Sequence, residues 1–170
     1  LTGCYNVVVL ELVVNDTPDI TDPLTPLEVC DDNTDGYAQF DLTASEVEVL
    51  NGLDPLQYTV SYYASQANAE SGTNPISNPG AYTNITPNAQ TVWVRVEDVS
   101  TGCYSVAALD LIVNALPVLV QPLPLSLCDY DNPGDEVEEF TLEDSADAIL
   151  NGQTGITLTF HLTQAGADAG

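Results

Sequence analysis

The sequence predicts an all-β chain of tandem modules. Each module reads as an immunoglobulin- or fibronectin-like Greek-key β-sandwich with a short helical turn, repeating about every 99 residues. Three observations carry this: internal repetition, period-two alternation, and proline-rich joints between the copies. TGCYNVVVLELVVNDTP from Thr2 returns as TGCYSVAALDLIVNALP from Thr101. LEVCDDN from Leu27 returns as LSLCDYDN from Leu125, and FDLT…VLNG from Phe40 as FTLE…ILNG from Phe140. YTVSYYASQANAE from Tyr58 returns as ITLTFHLTQAGAD from Ile156, so the blocks recur in one order at offsets of 98 to 100.

The joints set the boundaries. DTPDITDPLTP follows Asn15 and ALPVLVQPLP follows Asn114, and proline holds its neighbours extended. Residues 1–17 then read as the last strand of a preceding module, and 18–23 as a proline-rich linker. Residues 24–116 form one complete module, 117–121 a second linker, and 122–170 the first half of the next. The chain reads as a window onto a longer array.

Each element within the module has a local reason. GYAQFDL is strand-like. TASEVEVLNG offers a capping box, Thr43 with Glu46, and a terminating Gly52, which predicts a helical turn. YTVSYY alternates, with Tyr58, Val60 and Tyr62 on one face, and SQANAESG predicts a second single turn. In TVWVRVE, Val92, Val94 and Val96 face one way and Trp93, Arg95 and Glu97 the other. DVSTGC then turns the chain into the long strand YSVAALDLIVN, a hairpin.

Composition excludes several functions. The 170 residues hold 26 acids against one base, Arg95, for a net charge of −25. Such a chain repels nucleic acid and anionic membranes. The apolar run VVVLELVV is broken by Glu11 and LIVNALPVLVQPLPLSL by prolines, so neither inserts in a bilayer. No nucleophile stands with a base and no phosphate loop occurs, so no enzyme is expected. Arg95 is expected to pair with a carboxylate and stack by Trp93, and His161, whose repeat partner is Tyr63, reads as a strand residue.

Four cysteines allow three pairings. Cys30 ends the first strand and Cys103 begins the last. In a sandwich those strands often lie side by side, so a Cys30–Cys103 bridge is predicted. Cys4 and Cys128 would then pair outside this window. Disulfides imply an oxidising, extracytoplasmic compartment.

The loop VCDDNTDGYAQFDLT has two readings. Asp31, Asn33 and Asp35 alternate before Gly36 as oxygen ligands do in a calcium loop, with Asp41 further on. Asp129, Asp131 and Asp135 echo them in the next copy. Calcium is the one candidate cofactor. Equally, Asp and Asn close tight turns with their own side chains.

VCDDNTDGYAQFDLT, YTVSYYASQANAESGTNPI, YTNITPNAQTVWVRVEDVSTGCYSV and LDLIVNALP together resemble the tandem repeats of very large surface proteins of Bacteroidota. Those proteins, gliding-motility adhesins among them, are exported by the type IX secretion system. The resemblance implies a secreted fibre on the outer-membrane surface, used for adhesion or gliding motility. It also makes DSA at Asp144 a candidate O-glycosylation motif, at Ser145. The sequons at Asn15 and Asn84 are set aside in a bacterial chain. The expected role is a structural stalk whose partners are neighbouring repeats and extracellular surfaces or glycans. The alternatives are a glycan-binding module using Trp93, Tyr62, Tyr63 and Tyr82, or an accessory domain of a secreted hydrolase.

Overall fold

The structure, a computed structural model, describes residues 3–130 and 132–169. It divides into two compact units, Leu1–Ala115 and Leu116–Gly170.

In the first unit the hairpin is the organising element. Strands β5 (Ala89–Asp98) and β6 (Tyr104–Asn114) pair antiparallel, with Val94 opposite Ala107 and Val92 opposite Leu109. Their alternation puts Val92, Val94, Val96, Ala107 and Leu109 on one face, where all are fully buried. Strand β3 (Tyr58–Tyr63) pairs antiparallel with β5, and the short β1 (Leu27–Cys30) pairs parallel with β6, giving a mixed four-stranded sheet ordered β1-β6-β5-β3. A second ladder joins β2 (Gln39–Phe40) antiparallel to β4 (Tyr82–Thr83). Phe40, Leu42, Val49, Leu50, Tyr62, Leu111 and Val113 close the core against the valine face. Fully burying each such side chain is worth about 1.5–3 kcal/mol. The chain is β-rich, as expected.

The helical turns form with one change of cap. A 3₁₀ turn at Leu42–Ser45 leads into α1 (Glu46–Leu50). Its N-terminus is closed by Asp41, whose Oδ1 accepts from Thr43 N at 3.0 Å and from the Thr43 hydroxyl at 2.5 Å. The expected Thr43–Glu46 capping box does not form, because the Thr43 hydroxyl is spent on Asp41. Helix α1 ends on Asn51 and Gly52, both at positive φ. Helix α2 (Gln66–Ser71) is capped by Ser65, whose Oγ accepts from Asn68 N, and stopped by Gly72 in the left-handed region. It covers the outer face of the sheet, where Tyr63, Ala69 and Arg95 are buried.

The joint before the module is more than a spacer. Ser105 Oγ donates to Pro18 O (2.6 Å), Ala108 N to Asp22 Oδ1 (3.1 Å), Leu24 N to Ala108 O (3.2 Å) and Thr21 N to Val49 O (3.3 Å). Leu24 is a core residue. The linker therefore runs beside β6 ahead of β1, held by one backbone bond from Leu24 N to Ala108 O and by the side chains of Ser105 and Asp22, while the ladder itself begins at Leu27.

The second unit repeats the local structure of the first. A 3₁₀ turn at Leu142–Ser145 leads into α3 (Ala146–Leu150), Asn151 is left-handed, and α4 (Gln164–Ala169) matches α2. Val120 N donates to Ile149 O as Thr21 N does to Val49 O. The sequence of this unit aligns with residues up to Gly72 and carries no counterpart of β5 and β6. Leu125, Phe140, Leu142, Ile149 and Phe160, whose counterparts in the first unit pack in or against its core, here line an apolar cleft of about 530 Å³. Among the described residues no helix is long and apolar enough to cross a membrane.

Candidate functional site

The acidic loop is held by its own amides. Asp31 Oδ1 accepts from Thr34 N (2.8 Å) and Asn33 N (3.3 Å), and its Oδ2 accepts from Gly36 N (2.8 Å). Asn33 Oδ1 accepts from Asp35 N, Asp35 Oδ1 from Tyr37 N, and Asp35 Oδ2 from Asn33 Nδ2. Desolvation works to raise the pKa of Asp31, but the donated amides of Gly36, Asn33, Thr34 and Asp35 together outweigh it and hold the carboxyl below its ordinary value. Gly36 is required twice over: its φ is +77°, and a Cβ there would meet Asn88 Oδ1 and Pro87 Cβ at 2.9 Å.

Asn84, set aside above as a sequon, anchors this loop from the far strand. Its Oδ1 accepts from Ala38 N (2.7 Å), and its Nδ2 donates to Gly36 O (2.9 Å) and Thr86 O (2.8 Å), all while buried. No local pattern marks it, because its partners lie up to 48 residues away.

Asp41 belongs to the α1 cap, apart from the loop. In the second copy Asp129 Oδ2 accepts from Gly134 N and Asp135 Oδ1 from Val137 N, and Asp131 lies outside the described residues. Among the described residues no three or more His, Cys, Asp or Glu side chains converge in a way that could hold a metal ion.

Arg95, the one basic residue, is buried beneath α2. Its Nη1 donates to Ala69 O (2.9 Å) and Glu70 O (3.1 Å), and Nε and Nη2 both donate to Glu97 Oε2 (2.9 and 2.7 Å). The guanidinium lies 3.4 Å from the ring centre of Tyr104. The expected carboxylate partner is Glu97. The stacking partner is Tyr104, which stands on β6 opposite Glu97, and not Trp93.

Several expected surface residues are interior. Tyr62 and Tyr63 are buried on opposite faces of β3, and Trp93 and Tyr82 are half-buried. Burial foremost, with the charges of Glu46 and Asp41, pushes the Tyr62 phenol up to about 12 against the opposing Ser45 hydrogen bond. These four aromatics form no exposed platform. Ser145 is buried as well, its Oγ donating to Leu142 O at 2.7 Å, as Ser45 Oγ does to Leu42 O. The folded unit thus keeps this hydroxyl from a glycosylating enzyme. His161 is exposed, beside Thr159 Oγ1.

No two of the four cysteines are bonded to one another in this structure. β1 runs parallel to β6 with Cys30 level with Asn114, whereas Cys103 directly precedes β6. The two therefore stand at opposite ends of β6, about 35 Å apart at 3.3 Å per residue. A disulfide needs Cα atoms within about 7 Å. The predicted Cys30–Cys103 bridge does not fit this register: the strands are neighbours, as assumed, but their shared direction separates the cysteines. What adjoins Cys103 is Asn15, whose carbonyl oxygen lies 3.8 Å from Cys103 Sγ; the described residues 3–17, expected as a strand, form none in this structure.

The molecule is thus defined as a β-rich repeat whose cysteines mark the two ends of the module and whose linker is hydrogen-bonded along its last strand. The chain belongs to the family described as the Flavobacterium inter-domain disulphide bond domain, whose model matches residues 26–117 and again 124–170. This is a domain type of the Bacteroidota, the bacterial group that the sequence resembles. No curated protein and no solved structure matches the chain.

Proposed function

We propose that the chain is a run of stalk modules in an exported cell-surface fibre of the adhesin type, with successive modules tied to one another by disulfides. It is structural and not catalytic. The fibre stands on the outer-membrane surface, where it serves adhesion or gliding and meets extracellular surfaces or glycans. The observation that supports this best is the docking of residues 15–24 along β6, which couples each copy to the one before it. The family's name, which speaks of an inter-domain disulphide, agrees with thiols at both poles. In this reading the four-stranded sheet and the β2-β4 ladder are the two layers of a reduced immunoglobulin-type Greek-key sandwich. The glycan-binding reading is less favoured, because Tyr62 and Tyr63 are buried and Trp93 and Tyr82 half-buried. The loop from Asp31 to Tyr37 serves as a turn, the oxygens of Asp31 and Asp35 already engaged by amides, and needs no calcium.

Small-angle scattering of a chain of three or more consecutive copies tests the stalk. We expect a rod whose length grows linearly with copy number, helped by a charge of −25 on every 170 residues. A compact particle would refute it.

A further inference from the structure

The family's name says that a disulfide joins domains, but not which cysteines pair. The geometry points to a staggered pairing. We propose that Cys30 bonds to the hairpin cysteine of the following copy, the counterpart of Cys103, and that Cys103 bonds to the first-strand cysteine of the preceding copy, the counterpart of Cys30. No two of the four cysteines in this chain would then be partners. The proposal rests on the tandem-array reading above and adds the pairing.

The argument uses one carbonyl seen from two sides. Asn15 and Asn114 are the same position of successive repeats, each ending its VVN or IVN segment. The Asn15 oxygen lies 3.8 Å from Cys103 Sγ. The Asn114 oxygen accepts from Asp31 N at 2.8 Å, and Asn114 is the register partner of Cys30. If successive copies dock alike, the following copy's hairpin thiol lies against the Asn114 carbonyl, where Cys30 already stands. Both thiols are accessible: Cys30 is exposed and Cys103 half-buried. Formation is a thiol–disulfide exchange. The two thiols give up two protons and two electrons to an exogenous disulfide, which leaves as two thiols, and one S–S bond forms between the copies.

The pairing has a mechanical consequence. From Asn15 the backbone runs along the linker and β1 to Cys30, crosses to the next copy's hairpin cysteine, and continues straight up that copy's β6 to its Asn114 counterpart. The same path then begins again in the copy beyond. Two such covalent threads interleave through the array. Residues 31–102 bridge one thread to the other, and no tension need pass through them.

The test completes the second copy. The full chain is extended after Gly170 by its own residues 73–114, oxidised with glutathione disulfide at low concentration, alkylated, digested without reduction and mapped by mass spectrometry. The expected result is one bridge, between Cys30 and the appended copy of Cys103, with Cys4, Cys103 and Cys128 alkylated. Removing the appended cysteine by substitution with serine should leave Cys30 alkylated too. A Cys30–Cys103 or Cys103–Cys128 bridge, or Cys30 remaining a thiol while the appended cysteine is accessible, would overturn the pairing. If scattering still showed a rod, the stalk reading would survive that outcome. A compact particle carrying the expected bridge would sink the stalk and leave the pairing.

Discussion

Replacing Arg95 by methionine tests how the outer face of the sheet is held. The substitution keeps the apolar stem and removes the guanidinium. Two donated hydrogen bonds to α2 carbonyls are lost, Ala69 O and Glu70 O, and hydrogen bonds from a charged donor are worth about 1.5–3 kcal/mol each. The cation–π contact with Tyr104 adds roughly 0.5–2 kcal/mol. The pair with Glu97 adds under about 1 kcal/mol, because the carboxylate side is 41% exposed. Against these stands the relief of not burying a cation, which offsets several kcal/mol. The net expectation is a loss of about 3 kcal/mol. For a domain of this size that lowers the thermal midpoint by roughly 12–24 °C. The assay is chemical denaturation followed by Trp93 fluorescence, with hydrogen exchange reporting whether the α2 amides open first. A loss under about 1 kcal/mol, with α2 still protected, would refute the view that Arg95 fastens α2 to the sheet.

Two further predictions concern the loop and the joints. The lowered pKa of Asp31 means that its carboxylate stabilises the fold above about pH 3.8, and that this contribution is lost as pH falls through the lower folded value. The melting difference between wild type and Asp31→Asn should be level from pH 7 to 5 and shrink below pH 4, and a difference unchanged down to about pH 2 would contradict the amide-bound turn. Added calcium should leave the wild-type midpoint where chelator leaves it, whereas a rise abolished by Asp31→Ala with Asp35→Ala would make the loop a metal site. Single-molecule stretching of an oxidised array should show no unfolding steps. With reductant, steps of roughly 300 Å should appear, the stretched length of one repeat less its folded span. Identical traces before and after reduction would rule out the two-thread load path.

Much of this was legible in the sequence. The repeat, the β5–β6 hairpin, the valine face and the two helical turns all follow from patterns a few residues long, because side-chain alternation and cap chemistry are local. The carboxylate partner expected for Arg95 is Glu97, which shares its face two residues on along the strand. The position of Asn84 could not be read this way: its three partners come from loops brought together by the ladder of β2 and β4. Nor could the burial of Tyr62 and Tyr63 on opposite faces, since alternation says that two neighbours part company but not that α2 covers the second face.

What the sequence by itself determined was the period, the strands of the complete module and the cysteine positions, but not the strand expected over residues 1–17, which the described residues do not form. Strand direction was decided by the tertiary structure alone. The linker runs beside β6 and delivers β1 parallel to it, so the two cysteines of one module stand a strand length apart. The same strands paired antiparallel would bring Cys30 back to Cys103. That choice depends on which edge of β6 the linker can cover while Leu24 reaches the core, a long-range packing condition that no short stretch of residues contains.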